Sequence, residues 1–506
     1  MNYSARYVLN PNYRLLDDVK RSLIIAVDKD DEIQSIKYTE GIIARIHPLH
    51  AQILSFFDGE KTYEEVLSQL EKYLYLDRES IEEYCHKLIK NENSFHLHLK
   101  EVITNFPVNV LVNVDLCPVF KKYSYKDFPL VADIDLTSRR LYKPRYFSII
   151  LNTYCYTDCI YCYADSKTKV STCLSTKRIF ELIDEMVDIG AINIDFNGGE
   201  VLMHPDCLEI LAYSMSKGFQ PYISTKCPLS YELVQGIKRI GLKKIQISLD
   251  STDSNVLGYL LKTKSNYYKA MQETISYLEE AGIEVIIHCI LTRYNSSKEN
   301  AEQLVADLSL FNNINCINFD VAGYSLYKKK ESFGSLKITE KELKNLQDVV
   351  KELAKKYPNK TLHVNGTTML CRIFSDKILR DKEFQNRPLC EGNLSYMLVL
   401  PDGKVTICEE LYWHPQFILG NITEKSIMEV WMSDKALALH HLSRKDISEK
   451  SACKICGDFN LCRGENGSRV CWKTVQYFYG SENWDFPEPS CPFAPPAIND
   501  CLHDIE

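Results

Sequence analysis

Three cysteines constrain this chain more sharply than any other feature. Cys155, Cys159 and Cys162 fall within eight residues, in the stretch LNTYCYTDCIYCYAD that runs from Leu151 to Asp165. The apolar run Tyr146–Leu151 leads straight into them and predicts a strand. Three thiolates on one loop can each hold one iron of a [4Fe–4S] cube and leave the fourth iron without a protein ligand. An open iron is a place for a substrate or cofactor, much as catalytic zinc keeps an open position. A structural zinc site wants four ligands, and no fourth lies nearby; a disulfide would leave one thiol over.

Composition agrees with a metalloprotein. Nineteen cysteines with no apolar h-region in the opening MNYSARYVLNPNY point to a reducing, cytoplasmic setting, where thiols serve metals more often than disulfides. The formal charge of −8 gives no electrostatic case for nucleic acid. No apolar run approaches the length of about 20 residues needed to cross a bilayer. With 506 residues the chain is too long for one core, so several domains are expected.

From Tyr146 to Val321 the pattern alternates strand and helix, the mark of a parallel sheet with crossover helices. Candidate strands are 147–151, 192–196, 220–224, 244–249, 284–291 and 316–321, with helices such as 176–189 and 267–281 between them. Barrel sites form from loops at the strand C-termini. The sequences there are Asn197-Gly198-Gly199-Glu200-Val201, Ser224-Thr225-Lys226-Cys227, Ser248-Leu249-Asp250-Ser251 and Thr292-Arg293-Tyr294-Asn295.

Together these motifs resemble the radical SAM superfamily, down to the aromatic Tyr161 just before the third cysteine. The resemblance implies a partial (β/α)6 TIM-like barrel. It implies that the open iron binds S-adenosylmethionine and that an electron from the cluster cleaves it to a 5′-deoxyadenosyl radical. Gly198, Gly199 and Glu200 would meet the cofactor's amino group, with Val201 where relatives usually have proline. Thr225, Ser248, Asp250 and Arg293 would make further contacts; Lys226 and Cys227 depart from the Asn-Gly that relatives often carry.

Residues 1–105 read as a small α+β module. Strands are expected at 23–27 and 33–38 around the turn Asp28–Asp31, and a helix from Leu49 to the stop signal Asp58-Gly59. Thr62 with Glu65 forms a capping box. It opens a helix with Tyr63, Val66, Leu67, Leu70 and Leu74 on one face; a third helix carries Ile81, Tyr84, Cys85, Leu88 and Ile89. This pattern resembles the winged-helix precursor-recognition element, in which a leader peptide adds a strand to the sheet edge. A DNA-binding winged helix is disfavoured, because residues 61–90 hold seven acids against five bases.

Residues 106–144 and 326–385 read as bridging segments, with Lys328–Lys330 as a solvated loop and 341–357 as a surface helix. From 386 to 506 the cysteines dominate: Cys390-x12-Gly403-x4-Cys408, then Cys453-x2-Cys456-x5-Cys462, then Cys471 and Cys491. This resembles the SPASM extension. The resemblance implies that Cys453, Cys456, Cys462 and Cys491 ligate one auxiliary [4Fe–4S] cluster and that Cys390, Cys408 and Cys471 ligate another. Relatives place the counterpart of Cys471 three residues after the preceding cysteine, whereas eight intervene here. Cys371, Glu409, Glu410 or an open iron remain for the fourth position, and zinc knuckles share the C-x2-C spacing. Cys85, Cys117, Cys173, Cys207, Cys227, Cys289, Cys316, Cys371 and Cys501 read as small hydrophobes by default, with Cys227 and Cys289 near the barrel mouth.

A recognition module, a radical barrel over 145–325 and a SPASM extension in that order resemble maturases of ribosomally made peptides. The implied enzyme binds a leader with residues 1–105, takes electrons from a flavodoxin or ferredoxin, holds S-adenosylmethionine and three [4Fe–4S] clusters, and forms a cysteine thioether. A carbon–carbon crosslinker, a formylglycine maturase of the sulfatase type and a non-enzymatic iron–sulfur peptide-binding scaffold share these motifs.

Overall fold

The computed structural model describes residues 2–26, 42–99, 102–117, 119–165, 170, 172–328, 330–366, 376–464 and 469–496. They form two compact units, Met1–Lys143 and Pro144–Glu506.

In the first unit, β1 (Tyr7–Leu9), β2 (Tyr13–Asp17), β3 (Ser22–Ala26) and β4 (Ile42–Ile46) precede α1 (Pro48–Ser55), α2 (Tyr63–Leu74) and α3 (Arg78–Ile89). The hairpin β5 (Phe95–Leu99) and β6 (Val102–Phe106) follows, then β7 (Leu111–Asn113). The capping box forms as expected: Thr62 N donates to Glu65 at 2.8 Å, and Glu65 N donates to Thr62 Oγ1 at 3.3 Å. The predicted apolar faces are the buried ones, with Tyr63, Val66, Leu67 and Leu70 meeting Ile81, Cys85 and Leu88 in one core. The expected first strand is β3, central in the antiparallel order β2-β3-β4. The second expected strand and the Asp28–Asp31 turn lie outside the described residues. Residues 106–143 are more than a bridge. β7 pairs antiparallel with β1, and Val110, Leu111 and Phe128 are buried in the same core. Sequence periodicity missed this because a three-residue strand carries no measurable period.

Arg21 and Asp18 are both fully buried and pair at 2.9 Å. Arg21 also donates to the carbonyls of Ser138 at 2.6 Å and Arg140 at 2.7 Å. A buried charge persists only when paired and hydrogen-bonded in this way.

The second unit holds all six expected barrel strands: β8 (Tyr146–Ile150), β9 (Asn193–Asn197), β10 (Ser224–Thr225), β11 (Lys244–Ser248), β12 (Glu284–Leu291) and β13 (Ile314–Val321). Crossover helices α4 (Thr176–Asp188), α5 (Cys207–Ser216), α6 (Tyr231–Ile240), α7 (Ser254–Leu261), α8 (Tyr267–Ala281) and α9 (Lys298–Leu308) separate them. The third strand lies at Ser224–Thr225 and shares only Ser224 with the expected 220–224; Pro221, within the expected span, has no N–H to give a ladder. Strands β10 to β13 pair parallel in sequence order, and β8 pairs parallel with β9.

Both neighbouring segments join this framework. From 326–385, β14 (Thr361–Asn365) pairs parallel with β13, and the helix Glu340–Lys356 buries Leu343, Leu346, Val350 and Leu353. Lys328 is not on a solvated loop: its side chain is 16% exposed and its Nζ lies 3.5 Å from Asp158. From the C-terminal segment, β15 (Tyr396–Val399) pairs parallel with β8, and β16 (Lys404–Thr406) and β17 (Gly420–Asn421) extend the sheet antiparallel. Alternate residues of β11 to β13, namely Ile245, Ile247, Val285, Ile287, Ile317 and Phe319, enter the main apolar core with the helices. Strand alternation puts Gln246, Ser248, His288, Asn318 and Asp320 on the opposite face.

His50 supplies a pH signature for the first unit. It is buried against Phe106 and accepts or donates to Tyr84 Oη at 2.7 Å. Burial, reinforced by His47, lowers its pKa from 6.5 to about 4. The folded state therefore binds fewer protons than the unfolded chain over this range. His50's contribution is complete above pH 6.5 and is lost as pH falls towards 4, by roughly 3 kcal/mol. Urea unfolding of the full chain monitored at pH 7 and pH 4.5 is expected to show this loss, and His50→Gln is expected to flatten it.

Candidate active site

The cysteine loop leaves β8 and is fastened on two sides. Leu151 N donates to Asn197 O at 2.9 Å, Gly199 N to Asn152 O at 3.0 Å and Glu200 N to Tyr154 O at 2.8 Å, so the two strand-end loops continue the β8–β9 pairing. On the other side, Asp158 N and Ile160 N donate to the carbonyls of Leu261 and Leu260 at the end of α7. A Cβ on residue 199 would lie 1.9 Å from Tyr154 O, so only glycine permits this approach.

The result is one pocket walled by Cys155, Cys159, Cys162, Gly198, Gly199 and Asn152, with Asp165 and Tyr412 at its edge. Thr157 Oγ1 lies 3.6 Å from Cys155 Sγ and 3.2 Å from Cys159 Sγ, which holds the loop's turn. Burial pushes the Cys159 thiol up to about 11 and raises Cys162 as well. Among the described residues, no three Cys, His, Asp or Glu converge on a point that would hold a single metal ion. A four-iron cube takes one thiolate per iron and needs no such convergence.

Asn152 was not singled out by sequence reasoning. It is 2% exposed, and its Nδ2 donates to Glu200 O at 2.9 Å. Its Oδ1, on the pocket wall, has no hydrogen-bond partner among the described residues. An orphaned buried acceptor costs about 1–3 kcal/mol, and a donor such as an ammonium on a bound ligand would satisfy it. The glycine cradle, this free acceptor and the three thiols fit a cluster carrying an aminoacyl cofactor.

The other expected contacts divide. The Glu200 carboxylate is not on the pocket wall: it turns under the loop to accept from Leu202 N at 3.3 Å and Lys226 N at 3.1 Å, and burial raises its pKa. Thr225 is buried and accepts from Cys227 N at 2.9 Å. Ser248 is buried and accepts from Gln246 Nε2 at 3.1 Å. It stands in a polar row with His288 and Asn318 on the neighbouring strands. Asp250 is fully buried among Tyr161, Lys226 and Ile290 N. Arg293 is exposed and is not on the pocket wall, because Thr292 and Asn295 bond each other and turn the chain outwards there. Cys227 is half-buried; burial, with Glu200 and Cys155 nearby, pushes its thiol up to about 12.

Towards the C-terminus, Cys453, Cys456, Cys462 and Cys491, the set that the resemblance implies for one auxiliary cluster, line a second pocket with Glu488. Burial and the neighbouring Cys471 push the Cys390 thiol up to about 12; Cys408 is raised by burial and lies close enough to feel Cys390. Cys371 and Cys501 lie outside the described residues. Of the acids considered for the remaining position, Glu410 pairs with Lys473, and burial with Glu410 beside it lifts Glu409 to about 7. Sequence reasoning passed over Glu488, which accepts from Cys471 N at 2.9 Å. A groove of about 380 Å³ continues from Asp165 between Tyr327, Trp413, His414 and Tyr477.

Comparison with known proteins gives this geometry a class. The radical SAM superfamily matches residues 149–308, and the iron–sulfur cluster-binding SPASM domain matches residues 390–457. The chain carries both domains and is a radical SAM enzyme. It is 27% identical over 334 residues to Fe-coproporphyrin III synthase of Methanosarcina barkeri, covering 61% of this chain and 80% of that protein. It is 23% identical over 344 residues to the AdoMet-dependent heme synthase of the same organism, covering 63% and 90%. The fold matches Streptococcus suis SuiB with a TM-score of 0.60 at 16% identity, over 96% of this chain and 99% of that one. The structure of SuiB bound to precursor peptide SuiA matches with a TM-score of 0.58 at 15% identity, over 95% and 98%. Among the described residues, no helix is long and apolar enough to cross a membrane.

Gly199→Ala drives a methyl into a main-chain carbonyl and so parts the two loops. It is expected to abolish S-adenosylmethionine binding in equilibrium dialysis while leaving the far-ultraviolet circular dichroism unchanged.

Proposed function

We propose that this enzyme modifies a ribosomally made precursor peptide by hydrogen abstraction and closes a cysteine thioether, the C–H hydrogen atom leaving in 5′-deoxyadenosine, the thiol proton going to solvent and the remaining electron to an auxiliary cluster. The observation that carries the reading is the cavity of about 380 Å³ beside the three-thiol pocket, which shares Asp165 with it and is lined by Tyr327, Trp413, His414 and Tyr477. Cys155, Cys159 and Cys162 hold the cluster that binds S-adenosylmethionine; Gly198, Gly199 and the Asn152 amide oxygen receive the cofactor's aminoacyl end. Cys453, Cys456, Cys462 and Cys491 hold a second [4Fe–4S] cluster, and Cys390, Cys408 and Cys471 a third. Bound there, the cofactor and its reduced cluster supply a carbon-centred radical able to take a hydrogen atom from the substrate.

The chain's own part is to orient and to exclude. Fastening of the cysteine loop to β9 and α7 fixes the pocket, and the aromatic walls of the groove keep water from the reacting residue. The first unit captures the leader by adding a strand to its sheet, and a flavodoxin or ferredoxin supplies electrons in a cytoplasmic setting. Support for a peptide comes from the likeness to SuiB, which extends over 96% of this chain, and from the structure of SuiB bound to its precursor peptide SuiA. The relatives named Fe-coproporphyrin III synthase and AdoMet-dependent heme synthase match 61% and 63% of the chain and make a tetrapyrrole the competing substrate.

Anaerobic incubation of the reconstituted enzyme with a cognate precursor peptide is expected to give a product lighter by about two mass units per crosslink, with 5′-deoxyadenosine formed in step. Fragmentation separates a thioether from a carbon–carbon bond. An unchanged peptide beside a converted iron-coproporphyrin would overturn the reading. A leader peptide that does not bind the full chain would overturn the role given to the first unit.

A further inference from the structure

Lys226 stands where the sequence departs from the radical SAM pattern, and the structure gives it a defined place. Its side chain is 15% exposed and faces Asp250, which is fully buried. Lys226 Nζ donates to Tyr161 Oη at 2.7 Å and lies 3.3 Å from each Asp250 carboxylate oxygen. Tyr161 Oη donates to Asp250 Oδ2, and Ile290 N donates to Oδ1 at 2.9 Å. The ammonium also lies 5.1 Å from the centre of the Tyr161 ring. Main-chain bonds fix its base: Lys226 N donates to Glu200, and Lys226 O accepts from Tyr267 Oη at 2.8 Å.

Tyr161 sits between Cys159 and Cys162, so this charge pair is attached to the cysteine loop itself. An iron–sulfur cluster gains a negative charge on reduction, and its potential follows the net charge around it. A buried ammonium stabilises the reduced form and a buried carboxylate destabilises it, with little screening by water.

We propose that Lys226 and Asp250 set the reduction potential of the cluster held by Cys155, Cys159 and Cys162, the lysine raising it and the aspartate lowering it. The inference rests on the reading that these three cysteines hold that cluster. Tyr161 is the positioning residue that couples the pair to the loop.

The test is a potentiometric titration of the reconstituted full chain, followed by electron paramagnetic resonance. The signal read is the one absent from a variant with Cys155, Cys159 and Cys162 all changed to Ala. If that variant keeps all its iron and every signal, the ligand reading fails, whatever the potentials do. If it loses one signal, the proposal is judged on that signal alone. Lys226→Met is expected to shift its midpoint to lower potential and Asp250→Asn to higher, with Lys226→Arg close to the parent. A structural role for the pair would disturb both variants alike, so shifts of the same sign, or none, overturn the proposal. Should Lys226→Met fail to hold iron, Asp250→Asn decides, and anything but a rise contradicts the assignment.

Discussion

Main-chain contact between two strand-end loops underlies the site. Gly199 meets Asn152 and Glu200 meets Tyr154 across a gap that admits no side chain at position 199. This contact continues the β8–β9 pairing beyond the sheet as far as Tyr154 and Glu200, so the cysteines emerge from a braced turn instead of a free loop. It also leaves the Asn152 amide oxygen unpaired on the pocket wall. A bond left unmade in a buried place calls for an explanation, and a donor on a bound ligand supplies one here.

Electrostatics around the pocket follow from the same bracing. Glu200 is drawn under the loop by main-chain donors, and this carries Lys226 to a point from which its ammonium reaches Tyr161 and Asp250. The C-terminal thiols are surrounded by acids: Glu409 and Glu488 are both lifted to about 7 by burial. Cations are correspondingly close, Lys473 beside Glu410 and Arg387 and Arg463 near Glu488. Fixed charges of both signs near groups that change charge are the means by which a protein tunes electron transfer.

The sequence carried the parts of this arrangement that repeat or that have local rules. Cysteine spacing, strand–helix alternation, the Thr62–Glu65 box and the faces of α2 and α3 all depend on residues near one another in the chain. What it did not carry depends on distant partners. β14 and β15 were read as bridge and extension, and their places in the sheets come from pairing with β13 and β8. Arg293 matched a motif yet is exposed, because the turn made by Thr292 and Asn295 directs it outwards. Asn152 and Glu488 lay within marked stretches, but nothing local distinguishes an unpaired amide or a carboxylate placed beside Cys471.

Iron and acid-labile sulfide per chain, measured on anaerobically reconstituted protein beside the variant with Cys155, Cys159 and Cys162 changed to Ala, test the central claim most directly. Three clusters give about twelve irons per chain, falling to about eight in the variant. About four irons in the parent, with zinc bound by the C-terminal cysteines, would contradict the account.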